Sequence, residues 1–319
     1  MKISYFCKKG KNLFSLFFIL KKHQRISLIT ILLLSITLFT SCRNDTSQEK
    51  TDFYLEYTDS YNRKVTLDSE PQRIISLSPA ITEMIFLLHS EDKLVGISDF
   101  CNYPPETAKI KKVGGLIDLN IEHLISLNPD LILIGSIVGK NQIEKIEKLE
   151  IPVIALKEEN QIEGIFRSLT ALGNILNCPA LAKEQIQILQ QKLNKIEQTN
   201  KNDSTEKSVF YVVGFGEAGD FTAPKSSHIH EIITLAGGRN IGASLTGWSI
   251  SRELIFEQNP DLIFIRKEDF ANFSKTYPYN QLRAVKAGHL YPIESGWIDI
   301  VSPRNINAIE FMHRCIEEN

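Results

Sequence analysis

The sequence predicts an α/β protein of two related lobes joined by a single long α-helix. Three observations predict it. Short apolar strands alternate with helical segments, which is the pattern of parallel α/β layering. One motif containing Asn-Pro-Asp-Leu-Ile occurs twice, far apart. Between its copies lies helical sequence long enough to bridge two bodies. A chain of 319 residues exceeds one ordinary domain core and suits two.

The first residues differ from the rest. Lys2, Lys8, Lys9, Lys11, Lys21, Lys22 and Arg25 give a basic start, and the apolar run Ile26 to Phe39 is broken only by Ser and Thr. That run is shorter than the roughly 20 apolar residues a spanning helix needs. A basic start, a short apolar core and small residues before a cleavage point describe a secretory signal. Cys42 directly follows Thr40-Ser41. This order resembles a bacterial lipobox, which implies cleavage before Cys42 and lipid attachment to it. The polar stretch Arg43 to Thr51 reads as a flexible tether. The chain is therefore expected to be exported and lipid-anchored, facing the periplasm or the cell exterior.

Tyr54 to Leu67 alternates apolar and polar residues around Asp59-Ser60-Tyr61-Asn62, a hairpin pattern. Ile74 to Leu77 is a short buried strand. Ser78-Pro79 then suits an N-cap and first helical position, and a helix continues through Ala80 to His89. Leu94 to Ile97 is the next strand. The first motif copy runs from Glu122 to Ile134 and the second from Glu253 to Ile265. Asn120 and Ser251 each stand two residues before the motif's Glu and can cap a helix. Each copy thus predicts a short capped helix, a Pro-containing turn and a buried strand. A repeat at this separation points to paired lobes, not to a short-period solenoid.

Ile162, Ile165, Phe166, Leu169 and Leu172 recur at helical spacing between the copies. Pro179 fits the start of a second helix reaching about Gln198, some 30 Å long. The polar run Thr199 to Lys207 reads as a loop before a strand over Val209 to Val213. The division that results is a signal peptide over 1–41, a lipidated tether over 42–52, an N-terminal α/β lobe over 53–160, a helical linker over 161–206 and a C-terminal α/β lobe over 207–319.

Bulk composition narrows function. Hydrophobic content of 43%, charged content of 23% and net charge of −2 fit a soluble globular protein and give no basic excess for nucleic acid. Of five Cys, Cys7 falls in the removed segment and Cys42 is the lipid site, leaving Cys101, Cys178 and Cys315. An odd number leaves at least one free thiol. With no CxxC and seven scattered His, no zinc or manganese site is expected. Gly214 to Gly219 matches GxGxxG after a strand, but a dinucleotide site needs a helix to start there, and Asp220 to Pro224 is loop-like. A nucleotide-cofactor enzyme is the weaker class, and neither catalytic residues nor a cofactor is expected.

From about Phe53 onward the chain resembles the ABC-importer solute-binding family that carries cobalamin, haem and ferric siderophores. The matching stretches, in order, are Arg73 to Glu83, Val95 to Ser98 leading to Cys101-Asn102-Tyr103-Pro104-Pro105-Glu106, and Val113-Gly114-Gly115. Leu235 to Ile241, then Trp297 and Ser302-Pro303-Arg304, complete them. The resemblance implies two Rossmann-like lobes bridged by one helix, a monomer that captures a small molecule, and a membrane permease as partner. It also implies that Glu122 and Glu253 dock Arg residues of the permease. A carboxylate in a first helical turn also favours the helix dipole, which explains either Glu alone but not its presence in both copies.

By position the ligand residues are Ser78, Pro79, Tyr103, Phe221, Trp248, Trp297 and Arg304. Phe215 also matches but reads better as core. Both Trp residues fall in these loops, and flat aromatic faces suit a corrin or porphyrin. The Cys101 to Glu106 segment and Trp248 are most similar to cobalamin binders. Gly296 and Ile300 stand where those binders tend to have an acid and an Arg, and Ala236 removes a disulfide partner for Cys315. The early hairpin is more typical of siderophore binders, for which Arg252 and Arg304 could meet an anionic ferric chelate. His228 and His230, at a helix start, read as surface polar groups. The expected ligand is cobalamin or a related corrinoid, and the alternative is haem or a ferric siderophore.

Overall fold

The computed structural model describes residues 54–319 except 116–117, 136–139, 158 and 201–205. The signal segment, the tether and Cys42 lie outside the described residues. Strand β1 (Leu55–Thr58) pairs antiparallel with β2 (Lys64–Leu67), so the hairpin forms as its alternation predicts. Asp59 is buried in the turn and accepts from the Tyr61 and Arg63 amides at 2.9 and 3.0 Å. Burial pushes its carboxyl upward, but the Arg63 side chain and these amides together hold it below the usual range.

Strand β3 (Ile74–Ser76) leads into α1 (Pro79–Leu87), where the Ser78 hydroxyl accepts from the Ile81 amide and Pro79 opens the first turn. The sequence extends this helix to His89, but the chain leaves it after Leu87, and His89 adopts a positive φ of 49°. Next come β4 (Leu94–Ile97), α2 (Ile121–Ser126), β5 (Leu131–Ile134), α3 (Lys140–Glu147) and β6 (Val153–Ala155). The four strands form a parallel sheet in the order β4-β3-β5-β6. Helix α4 (Ile162–Ile175) and the 22-residue α5 (Pro179–Asn200) follow.

Strand β7 (Lys207–Val212), the two-residue β8 (Asp220–Phe221), α6 (His228–Leu235), β9 (Gly238–Asn240) and β10 (Ser249–Ile250) come next. Then follow α7 (Arg252–Gln258), β11 (Leu262–Arg266), α8 (Phe270–Phe273), α9 (Arg283–Ala287), β12 (Leu290–Ile293) and α10 (Asn305–Glu317). A second four-stranded parallel sheet has the order β12-β11-β7-β9. Two parallel sheets, each fed by helices, make the α/β class plain.

The two motif copies have matching local geometry. Asn128 and Asn259 both adopt left-handed φ, 45° and 39°, a conformation Asn tolerates better than other side chains with a Cβ. The carboxylate of Asp130 accepts from the Gln72 and Arg73 amides at 2.7 and 2.9 Å. That of Asp261 accepts from the amide and hydroxyl of Ser208 at 2.9 and 2.6 Å. In both copies the Asp fastens the edge of the new strand to the start of its neighbour. The strand that follows is buried throughout in the first copy and to its last residue but one in the second. Continuous burial is what a parallel strand covered on both faces requires.

Alternate strand residues serve opposite faces. Ile74 and Leu131 join Val209 and Leu262 in one large apolar cluster. Ile75 and Ile132 face a second cluster, while Phe210 and Ile263 face a third. Helix α5 enters the large cluster through Ala182, Leu189 and Ile196, a stripe with seven-residue spacing. It packs against α4 before it and against α6 and α10 after it.

Candidate functional site

The candidate ligand residues follow the carboxyl ends of parallel strands. Ser78 and Pro79 follow β3, Tyr103 follows β4, Phe221 follows β7, Trp248 follows β9, and Trp297 and Arg304 follow β12. Open α/β sheets bind ligands at this end, because connecting loops there are free to vary while the strands hold them in place.

Arg304 is the centre of the best-defined cluster. Its Nε donates to Glu83 Oε2 at 2.9 Å and its Nη2 to Glu83 Oε1, a bidentate pair between residues 221 apart in sequence. Its guanidinium carbon lies 3.9 Å from the Tyr103 ring centroid. Side-chain exposure is 14% for Arg304 and 5% for Glu83, so this is a mostly desolvated pair. Burial pushes the Glu83 carboxyl above the usual range, against the pull of Arg304. Gly296 makes the geometry possible: a Cβ there would sit 2.2 Å from Arg304 Nη1. The guanidinium fills the space that an acidic side chain at position 296 would take.

Glu83 escaped the sequence reading. Its signal was a charge inside the otherwise uncharged helix Pro79–Leu87, next to buried Ile81, Thr82, Met84 and Ile85. A carboxylate on such a face requires a cationic partner, but the sequence alone does not say which.

Trp248 and Phe221 belong to a separate ribbon. Phe221 stands opposite Ser249 where β8 pairs antiparallel with β10, and the Thr222 amide donates to the Trp248 carbonyl at 2.8 Å. The Trp248 side chain remains exposed, as does that of Tyr103. Among the described residues, no hydrogen bond or ring contact joins the Tyr103–Arg304 cluster to this ribbon. Trp297 is half-buried instead, edge-on to Phe311 at 6.3 Å and packed on the large core. Phe215 packs edge-on against Phe273 and Tyr279, which agrees with its reading as core.

The glycine-rich segment Gly214 to Gly219 does not open a helix. It turns back into β8, with the Val213 and Gly214 amides donating to the Phe221 carbonyl. Arg252 Nε donates to Asp220 at 3.2 Å and its Nη2 to the Tyr279 hydroxyl at 3.0 Å. Asp220 is 5% exposed, and the Tyr279 hydroxyl also donates to it. Both arginines proposed for an anionic chelate are therefore paired with buried carboxylates.

The two histidines correct the sequence reading. His228 and His230 are half-buried, not surface groups. His228 Nε2 stands 2.6 Å from the Ile298 carbonyl and His230 Nδ1 stands 3.3 Å from Asn240 Nδ2, and burial lowers both pKa values. The helix start at Ser227 faces the 298 loop, a contact that local sequence does not reveal.

Glu122 and Glu253 are exposed in the first turns of α2 and α7. Asn120 caps α2 by accepting from the His123 amide at 2.9 Å, and Ser251 caps α7 by accepting from Leu254 at 3.1 Å. Cys101, Cys178 and Cys315 are free thiols. Among the described residues, no three His, Cys, Asp or Glu are grouped to hold a metal. Among the same residues, no helix is long and apolar enough to cross a membrane.

The periplasmic binding protein family matches residues 74–295. A Bacillus subtilis (strain 168) relative named as an uncharacterized ABC transporter substrate-binding lipoprotein, YvrC, is 28% identical over 90% of this chain and 95% of its own. A vitamin B12-binding protein of Vibrio parahaemolyticus is 24% identical over 79% of this chain and 92% of its own. Among solved structures, the periplasmic heme-binding protein HutB of Vibrio cholerae superposes with a TM-score of 0.70 at 18% identity. It covers 77% of this chain and 98% of its own, a likeness of fold.

Proposed function

Because the chain belongs to the periplasmic binding protein family and is the solute-binding protein of an ABC transporter, we propose that it captures cobalamin or a related corrinoid. The observation that carries this reading is the state of the two arginines. Arg304 is neutralised by Glu83, and Arg252 by Asp220. An anionic ferric chelate would have to break a desolvated ion pair to use Arg304, at a cost of several kcal/mol. A corrinoid carries amides and a broad apolar face, and needs no free cation. Tyr103 and Trp248 offer exposed aromatic surface to such a ligand. The B12-binding relative supports the same choice.

In this reading the two parallel sheets are the cores of two lobes, over 53–160 and 207–319. Helix α5, within the linker 161–206, is the strut between them. The ligand sits where the carboxyl-end loops face each other, so the Glu83–Arg304 pair spans the cleft. The protein acts as a monomer and presents Glu122 and Glu253, one from each lobe, to the permease. Replacing Trp248 by Ala removes one large contact surface. Cyanocobalamin affinity should fall by roughly 1–3 kcal/mol, about five- to 150-fold, in calorimetric titration. Unchanged affinity would remove Trp248 from the site.

The anchor is Cys42, in keeping with the relative named as a lipoprotein. Cys42→Ser should move the protein from the membrane to the soluble fraction of its host. Unchanged partition and unchanged mass would exclude lipid at this position.

A further inference from the structure

We propose that Arg252 is a positioning residue. Through Asp220 it fastens helix α7, which carries a carboxylate proposed for docking, to the ribbon that carries Phe221 and Trp248, so that docking on α7 displaces the ribbon. The inference rests on the reading that Glu253 meets the permease and Trp248 the ligand.

Little chain separates those two residues. Trp248 and Glu253 stand five positions apart, whereas Tyr103 and Glu122 stand 19 apart. The short interval is held at each step. Ser249 and Ile250 pair with Phe221 and Asp220, and the Ser251 hydroxyl accepts from the Leu254 amide at 3.1 Å. A backbone joint between a strand and a helix can still bend at its φ and ψ angles. A side-chain brace across the joint removes that freedom.

Arg252, the first residue of α7, supplies the brace. Its Nε donates to Asp220 Oδ2 at 3.2 Å, and its Nη2 to the Tyr279 hydroxyl at 3.0 Å and the Gly216 carbonyl at 3.4 Å. Asp220 Oδ1 accepts from the Tyr279 hydroxyl and from the Gly216 amide at 3.3 Å. Tyr279 is fully buried and stacked on Phe273, with ring centroids 4.9 Å apart. One guanidinium thus joins the helix to the ribbon, to the glycine-rich turn and to a core tyrosine. A pair between two exposed side chains would tie little. Here the Asp220 side chain is 4% exposed, and charge-assisted bonds from several segments fix its geometry. A rotation imposed on α7 through Glu253 is therefore carried to Phe221 and Trp248 instead of being absorbed between them.

The test loads the purified protein with labelled cyanocobalamin and adds right-side-out membrane vesicles from its own host. Co-sedimentation reads docking, and freed label reads release. Two variants break the brace from opposite ends. Arg252→Gln removes the cation. Asp220→Asn keeps Oδ1 for the Tyr279 hydroxyl, turns an amide toward Arg252, and lies too deep to touch a permease. Both should match wild type in cyanocobalamin affinity by calorimetry, because the pairing of β8 with β10 is untouched. Both should also sediment with the vesicles, yet free the label roughly tenfold more slowly. Arg252→Lys, which restores a cation, should recover part of the rate. Wild-type release by both variants would overturn the proposal. So would lost sedimentation in Arg252→Gln alone, which would make Arg252 a docking contact, or a lowered thermal midpoint that tracks the slower release. Failure of the wild type to hold the label or to sediment would overturn the functional reading beneath the proposal, and the proposal with it.

Discussion

Replacing Arg304 by Ala should destabilise the protein by about 3–5 kcal/mol, the usual cost of removing one partner from a buried ion pair. Glu83 would keep its place on α1 with 5% of its side chain exposed and no guanidinium to receive. The Tyr103 ring would lose its stacked cation as well. Against a total stability of roughly 5–15 kcal/mol, that is a large fraction. The loss should depend on pH, and its sign follows from Glu83. Burial already holds this carboxyl above its ordinary value with Arg304 present, and removing Arg304 raises it further. A group whose folded pKa exceeds its unfolded one is penalised when ionised. The destabilisation should therefore be full above the folded pKa, shrink as pH falls through it, and be largely gone below about 4.3, the unfolded value. Glu83→Met combined with Arg304→Met should recover most of the loss, since no charge is then stranded. Urea unfolding of the three variants between pH 4 and 8 reads the effect. Equal stability of wild type and Arg304→Ala at neutral pH would show that the pair carries no weight.

Reversing both carboxylates proposed for docking, Glu122→Arg with Glu253→Arg, should abolish uptake and leave ligand affinity untouched. Each stands exposed in the first turn of a short capped helix. Among the described residues, neither takes part in the ion pairs or hydrogen bonds that hold the loops proposed to bind ligand. A permease that offers Arg to each would meet like charge at both ends, and repulsion at an interface costs more than the loss of an attraction. The caps at Asn120 and Ser251 survive the change, so the fold should too. Uptake of labelled cobalamin by cells, set beside calorimetry on the purified variant, separates the two roles. A fall in affinity parallel to the fall in uptake would place these residues at the ligand instead. Undiminished uptake would remove them from docking.

The features legible in sequence were those written in local chemistry. The repeated Asn-Pro-Asp string gave two helix–turn–strand units because each residue has a local task. Asn accepts the left-handed φ, Pro ends the helix, and Asp fastens the neighbouring strand. The hairpin around Asp59, the Ser78 cap with Pro79 behind it, and the long helix from Pro179 have the same character. What was not legible depends on chain segments meeting from far apart. Arg304 reads as a free cation until Glu83, 221 residues away, is seen to hold it. Gly296 reads as a missing acid until its empty Cβ position is seen to admit that guanidinium. His228 reads as a surface group until the Ile298 carbonyl comes within reach. The edge-on contact of Trp297 with Phe311 is likewise absent from local sequence.

The proposed ligand of this solute-binding protein is a corrinoid and not an anionic iron chelate. Calorimetric titration of the wild-type soluble domain with cyanocobalamin, haemin and a set of ferric siderophores tests it most directly. Saturable one-to-one binding of cyanocobalamin at micromolar protein is expected, weakened little by added salt because no free cation carries it. Tight, salt-sensitive binding of an iron chelate, with no cobalamin binding at the same protein concentration, would contradict it.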